Sequence, residues 1–338
     1  MSLPSREIPL GAMRFNSDSQ KLEYWMGSAW MQIKTFSPNL NGGARGFWLA
    51  GSFYSTQSPT NIIEFVTIST QGSGTDFGDT SQQWKYNAGF ASNTRGVTGG
   101  GVYSDSATYM NTIEFITMSS RGDAVDFGDL VSDNKVYPAG CSNQTRGVWG
   151  NGGPSGSKVN TMCFVTIAST GDAKDFGDTT HARSNSAGLA SPTRGVFAGG
   201  YTPTNVNTID FINIASTGNA SEFGDMTFSS QMSGGGCSST RGILWGGNPP
   251  NTKRIDYITI PTGGNGTEFG ESVTATGYQN GCSSTTRCLA GGGQDPASTD
   301  SIDMVEIAST GDATDFGDLT TSSHLACGSY SNGHGGLG

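Results

Sequence analysis

Thr193 to Met226 reads TRGVFAGGYTPTNVNTIDFINIASTGNASEFGDM, and close copies of this stretch recur through the chain. Arg45, Arg95, Arg146, Arg194, Arg241 and Arg287 each open a copy, and Gly51, Gly101, Gly152, Gly200, Gly247 and Gly293 each follow six residues later. Every copy closes on an acidic-Phe-Gly-acidic turn, at Asp76 to Asp79, Asp126 to Asp129, Asp175 to Asp178, Glu222 to Asp225, Glu268 to Glu271 and Asp315 to Asp318. A period in the upper forties marks a repeat architecture with one supersecondary unit per copy. The 338 residues would suffice for two average domains, but so regular an array argues for one large body.

Each copy reads as four short strands: a small, glycine-rich one (Asn185 to Ser191), one after the Arg (Gly195 to Gly200), a long one (Thr208 to Ala215) and the acidic turn segment. The long strand decides the packing. Ile209, Phe211 and Asn213 alternate with Asp210, Ile212 and Ile214, so both faces are largely apolar and each sheet must be covered on both sides. Four-stranded sheets stacked face to face around an axis satisfy this, giving an all-β, six-bladed β-propeller over residues 35–338. From each turn to the next Arg the spacing is 16 or 17, and from Asp318 to His334 it is 16, so a seventh copy begins and stops. Ser322 to Ser331 is therefore expected to complete the first blade, in competition with Phe36 to Gly43.

Residues 1–34 stand outside the repeat and alternate apolar with polar residues around turn-forming clusters, which predicts a small β-meander. Phe15, Tyr24, Trp25 and Trp30 are too many aromatics for so short a sheet to bury alone, so this module is expected to dock or oligomerise.

Glycine supplies 52 residues, about twice the usual share of roughly 7%. The net charge of -10 lacks the basic footprint of a phosphate binder, so nucleic acid is a poor partner. No apolar run is long enough to span a bilayer, and Pro4, Glu7 and Pro9 break the first residues, so neither membrane insertion nor a secretory leader is expected. Cys141 and Cys282 stand five residues before a repeat Arg, where other copies have Phe90 and Leu189. The six cysteines thus read as buried apolar residues rather than bridges.

The segment Arg194-Gly-Val-Phe-Ala-Gly-Gly, followed by a long strand and an aromatic turn, resembles kelch-type propeller blades. Over nearly the whole chain, Asn207-Thr-Ile-Asp-Phe, Ala215-Ser-Thr-Gly, Asp315-Phe-Gly-Asp and Asn332-Gly-His-Gly-Gly resemble propeller proteins of tailed bacteriophages, cyanophages especially. Arg14-Phe-Asn and Tyr24-Trp-Met-Gly-Ser-Ala-Trp30 resemble a short module of phage fibre and appendage proteins. The resemblance implies a virion structural protein, made in the host cytoplasm and carried on tail or capsid.

The repeat arginines are expected to pair structurally with the carboxylates of the closing turn in the same unit. The aspartate pairs, such as Asp126 and Asp129, are expected to cap turns rather than hold calcium. His181, His324 and His334 are scattered, so no metal site is expected, and neither a catalytic residue nor a cofactor is assigned. Loops on one rim are nearly constant between copies, while those on the other vary and carry aromatics. Binding concentrates on such loops, which makes Tyr54, Trp84, Tyr86, Tyr103, Tyr109, Tyr137 and Tyr201 candidate contact residues, with Phe53, His181 and Tyr278 on the same rim. The expected function is a tail-fibre or appendage protein and homo-oligomer. It would be anchored to other virion proteins through residues 1–34 and would contact host surface glycan or a virion neighbour through the variable rim. The alternatives are a decoration protein without recognition and a polysaccharide-degrading enzyme, which would need two carboxylates about 5 to 9.5 Å apart.

Overall fold

The computed structural model describes residues 8–16, 21–32, 43–103, 108–131, 135–153, 157–231, 234–248, 250–294 and 296–337. Contacts divide the chain into a unit within Met1–Leu40 and a unit within Asn41–Gly338.

The first unit is an antiparallel sheet of Met13–Asn16, Lys21–Trp25 and Trp30–Gln32. Its register brings Met13, Tyr24 and Met31 side by side on one face, with all three exposed, and Phe15 beside them at 65% exposure. On the other face Arg14 bonds Glu23 at 2.9 Å and lies 4.2 Å from the centre of the Trp30 ring. The Trp25 and Trp30 rings stand 5.5 Å apart. Of the four aromatics expected to dock, Phe15 and Tyr24 are exposed, whereas Trp25 and Trp30 are half-buried against each other.

In the second unit each copy of the repeat becomes one antiparallel sheet. The fourth shows the pattern, with Ala187–Ala190 innermost, then Arg194–Ala198, Thr208–Asn213 and Ser221–Asp225. The third strand alternates as the sequence requires: Ile209, Asp210 and Ile212 are buried, Phe211 is partly so and Asn213 is exposed. A bulge between Ile209 and Asp210 lets the acidic-Phe-Gly-acidic segment pair with it, and equivalent bulges recur in the other copies.

Between consecutive sheets lies a buried apolar layer. Val97, Ile113 and Phe127 of the second sheet meet Trp149 and Val165 of the third, and Val148, Met162 and Phe176 of the third meet Phe197 and Ile212 of the fourth. The last such layer joins Leu289, Ile302 and Phe316 of the sixth sheet to Trp48, Val66 and Ile68 of the first.

The outer strands are stitched to their neighbours as well. Gly122 and Ala124 donate main-chain bonds to Phe77 and Asp79, and the motif repeats from sheet to sheet until Gly72 and Gly74 donate to Phe316 and Asp318. This explains the invariant Gly of the closing turn within the six copies. Gly128 has φ +146, and a Cβ there would stand 2.6 Å from the backbone of Gly171 in the next sheet.

The first sheet is completed from the other end of the chain. Gly328–Ser331 pairs with Arg45–Leu49, and the Tyr330 ring lies 5.8 Å from Phe47. The C-terminal strand is thus the one expected to close that sheet; most of its competitor, residues 36–42, lies outside the described residues. This sheet is also wider than the rest, because Val102–Tyr103 and Thr108–Tyr109 extend it beyond Thr75–Lys85. The architecture is all-β and propeller-like, built of five four-stranded antiparallel sheets and the widened first one, with a 3₁₀ turn at Gly335–Leu337 the single helical element among the described residues.

Candidate functional site: the axial mouth and variable rim

The two ends of the sheets are built differently. At the end bearing the tight turns, each repeat Arg leaves its strand and reaches a carbonyl of the next sheet, and all but Arg287 lay the guanidinium over an aromatic ring of their own sheet. Arg146 lies 4.4 Å from the Phe164 ring centre and donates to Ile214 O at 3.0 Å. Arg45, Arg95, Arg194, Arg241 and Arg287 donate equivalently to Met118, Ile167, Ile260, Ile307 and Ile68. The expected pairing with the closing-turn carboxylates is therefore replaced by bonds to the carbonyl at the end of the neighbouring third strand. Only Arg287 among them adds a carboxylate among the described residues, Glu306 at 2.8 Å, and that lies on the third strand.

The closing-turn acids project from the outer strand into solvent. The amide of Asp129 donates to Asp172 Oδ1 at 3.0 Å, and that of Asp178 to Asn219 Oδ1 at 3.0 Å. Turn capping is thus supplied from the adjacent repeat. No group of three His, Cys, Asp or Glu that could hold a metal ion occurs among the described residues. The six cysteines are buried and none forms a disulfide.

Carboxylates are nevertheless buried where the third strands begin. Asp210 takes Arg183 at 3.0 Å and the Thr180 hydroxyl at 2.6 Å; Asp256 takes the Thr227 amide and hydroxyl, both at 2.7 Å. Glu64 takes the Thr320 amide at 2.7 Å and faces His324 Nε2 at 3.4 Å, with both side chains fully buried. These groups tie each crossover to the following sheet, and the last one ties the sixth sheet to the first.

The innermost strands of all six sheets line one axial cavity of about 50 Å³. Its tight-turn end is covered by the C-terminal residues, where the half-buried His334 places Nε2 3.0 Å from Ala91 O and 3.3 Å from Ser142 Oγ. Burial lowers the pKa of this imidazole to about 4.

At the opposite end the chain enters five of the six innermost strands through a residue in the left-handed region: Tyr86 at φ 66°, Tyr137 at 53°, Asn185 at 60°, Tyr278 at 61° and Ala326 at 48°. This conformation serves an arc of main-chain bonds. Tyr86 N donates to Ala326 O, Tyr137 N to Tyr86 O, Asn185 N to Tyr137 O and Ala326 N to Tyr278 O. The arc carries its tyrosines along the axial mouth. Tyr86 and Tyr137 stack with centroids 4.1 Å apart, and the Tyr86 hydroxyl bonds Gln57 Oε1 at 2.9 Å. Burial, with Tyr86 and Tyr278 nearby, pushes the Tyr137 phenol far up.

Beneath these rings lie cavities of about 60 and 80 Å³, and no charged side chain lines either. Asn87 lines both at 5% exposure with neither amide atom bonded, and Asn185 Oδ1 is likewise buried without a partner.

The other expected contact residues divide. Tyr54 and Tyr103 are 41% and 42% exposed on loops of the variable rim. Tyr109 is half-buried in the hairpin beside Tyr103, and Tyr201 is half-buried under Lys158, whose Nζ stands 4.8 Å from its ring centre. Trp84 is corrected to a core residue: at 1% exposure it packs with Ala50 and Met110, because its strand continues alongside Val102–Tyr103, which pairs with it. Asn87 and Asn185 were not singled out by the sequence. The signal was the column nine residues before each repeat Arg, where Tyr86, Tyr137, Asn185 and Tyr278 recur and Asn87 follows.

No protein-family model matches the chain, and neither does any curated protein.

Proposed function

We propose that the chain is a six-bladed, kelch-like β-propeller carried on the particle of a tailed bacteriophage, as a tail-fibre or appendage component. The propeller spans the repeats from residue 35 onward. The small N-terminal sheet docks on other virion proteins or on further copies of itself, and the variable rim contacts host surface glycan or a neighbouring virion protein.

One observation carries this reading, the unequal use of the two rims. The tight-turn rim is taken up by the arginine-to-carbonyl bonds and by the C-terminal residues that cover the axis. The other rim carries the inserted hairpin, the exposed Tyr54 and Tyr103 and the tyrosine-bordered mouth. Variable loops bearing aromatics on a rigid scaffold are the usual layout of a contact surface. The exposed Met13, Phe15 and Tyr24 fit an anchoring role for the first unit, since a three-stranded sheet gains stability by covering such a face.

The test is mass spectrometry of purified particles together with adsorption in the presence of excess soluble chain. The expected result is a structural protein present in every particle whose soluble form slows adsorption. Absence from particles would sink the virion reading; presence without competition would leave a decoration protein.

A further inference from the structure

We propose that the axial mouth is a subsite for one neutral sugar residue, which lies between the rings of Tyr137 and Tyr278 and turns its hydroxyls inward to Asn87 and Asn185. The inference rests on the reading of the variable rim as a glycan-binding face, and it names where on that face the sugar sits and which class it belongs to.

Three features of the mouth converge. First, Asn87 offers two N–H donors and a carbonyl acceptor, all without a partner at 5% exposure. A buried amide left unbonded costs about 1–3 kcal/mol, and a ligand that supplies the missing bonds recovers it. Neighbouring sugar hydroxyls, each donor and acceptor, match such an amide, and the Asn185 carbonyl adds a second acceptor.

Second, Tyr137 and Tyr278 line the outer cavity with aromatic surface. An aromatic ring takes the C–H face of a pyranose while the phenol remains able to bond. Tyr137 is already fixed by its stack on Tyr86 and by its main-chain bonds to Tyr86 and Asn185, so little side-chain freedom remains to be lost on binding.

Third, the cavities contain no charged side chain, so a sulfate, phosphate, uronate or sialate group would enter with nothing to compensate its charge. Size fits an edge rather than a whole ring. The inner cavity of about 80 Å³ accepts several oxygen-sized groups, at the roughly 10–15 Å³ that each needs by this measure. The pyranose would sit at the tyrosines with its hydroxyl edge below. Tyr54 lies near enough to Tyr278 to help raise the pKa of its phenol, so sugars further along a chain would leave the mouth over Tyr54.

The test uses the full chain, titrated by calorimetry and observed by saturation-transfer NMR with methyl glycosides of glucose, galactose, mannose and N-acetylglucosamine. Galacturonate and N-acetylneuraminate serve as charged counterparts. The expected result is millimolar binding of at least one neutral glycoside, weakened about tenfold by Asn87→Ala, the size expected from an unmet buried pair. Val125→Ala, at an exposed position of the outer strand of the second sheet, is expected to stay within about twofold, the level of a change that does not bear on binding. Should Asn87→Ala fail to fold, Asn87→Ser replaces it, since Ser186 stands at the same position of the fourth repeat. Binding of charged sugars alone, neutral binding indifferent to Asn87 and Asn185, or no glycoside binding would each overturn the inference. Bacterial surface oligosaccharide held through Tyr54 and Tyr103 but not Asn87 would leave the glycan-binding rim standing and remove only this subsite.

Discussion

Glu64 and Asp303 hold the same position in two repeats, and their pKa values move in opposite directions. Desolvation raises both. At Glu64 it is outweighed by His324 and by the Thr320 hydroxyl and amide, and the carboxyl ends below its ordinary value. Asp303 has chiefly the Val273 amide at 2.9 Å, and it ends at about 6. For Asp303 the folded state binds the proton more tightly than the unfolded one. Stability therefore falls as pH rises from about 4 to about 6, and the deficit is complete above that. Asp303→Asn keeps an acceptor for the amide and removes the charge. It is expected to stabilise the protein by about 1–2 kcal/mol at pH 7.5, after discounting for solvent screening, and by little at pH 4. Denaturant melts at the two pH values decide it; equal effects at both would contradict the assignment. Glu64→Gln has the opposite sign. It removes a carboxylate oxygen that accepts from Thr320, and a loss of about 1–3 kcal/mol is expected at pH 7.5, shrinking as Glu64 itself protonates below its ordinary range.

At the scale of elements, the outer strand and the C-terminal strand carry the closure. Gly128→Ala demands both an unfavourable φ and a Cβ 2.6 Å from the Gly171 backbone. A loss of about 2–4 kcal/mol is expected, read as a lowered denaturation midpoint with the slope unchanged. Gly122→Ala, where a Cβ meets nothing within 4 Å, is strained by φ +150 but not by packing and should cost less. Truncation after Cys327 removes the inner strand of the first sheet, together with the buried Tyr330 ring against Phe47. It is expected to cost at least about 4 kcal/mol and to expose apolar surface to dye binding; a truncated chain as stable as the full one would show that the strand does not close the sheet.

Much of this was legible because the repeat is a periodic signal. The Arg and the acidic turn of each copy fix strand order, and the apolar third strand fixes two-sided burial. Partners across the sheet junctions were not legible. Arg146 and Asp175 belong to one copy, yet Arg146 bonds Ile214 of the next, a relation that depends on how sheets stack rather than on spacing along the chain. Trp84 looked like a rim aromatic because nothing local announces that Val102–Tyr103 pairs beside it and that its ring packs on Ala50 and Met110. Asn87 is an ordinary polar residue in sequence; its unmet amide exists only once the innermost strands surround it.

At the scale of the whole molecule, stability and contact are assigned to opposite ends. The tight-turn rim, the outer-strand stitches and the buried carboxylates repeat from sheet to sheet, whereas the variable rim departs from the repeat with the Tyr103 hairpin and the tyrosines of the mouth. The acids of the closing turns line the exposed outer strands, where like charge discourages edge-to-edge pairing between molecules. These features fit a protein held at one place and presenting one rim. The most direct test is electron cryomicroscopy of the intact particle with the propeller rims resolved. The account predicts that the N-terminal sheet contacts the virion and that the rim bearing Tyr54, Tyr103 and the axial mouth faces solvent; that rim buried against capsid or tail would contradict it.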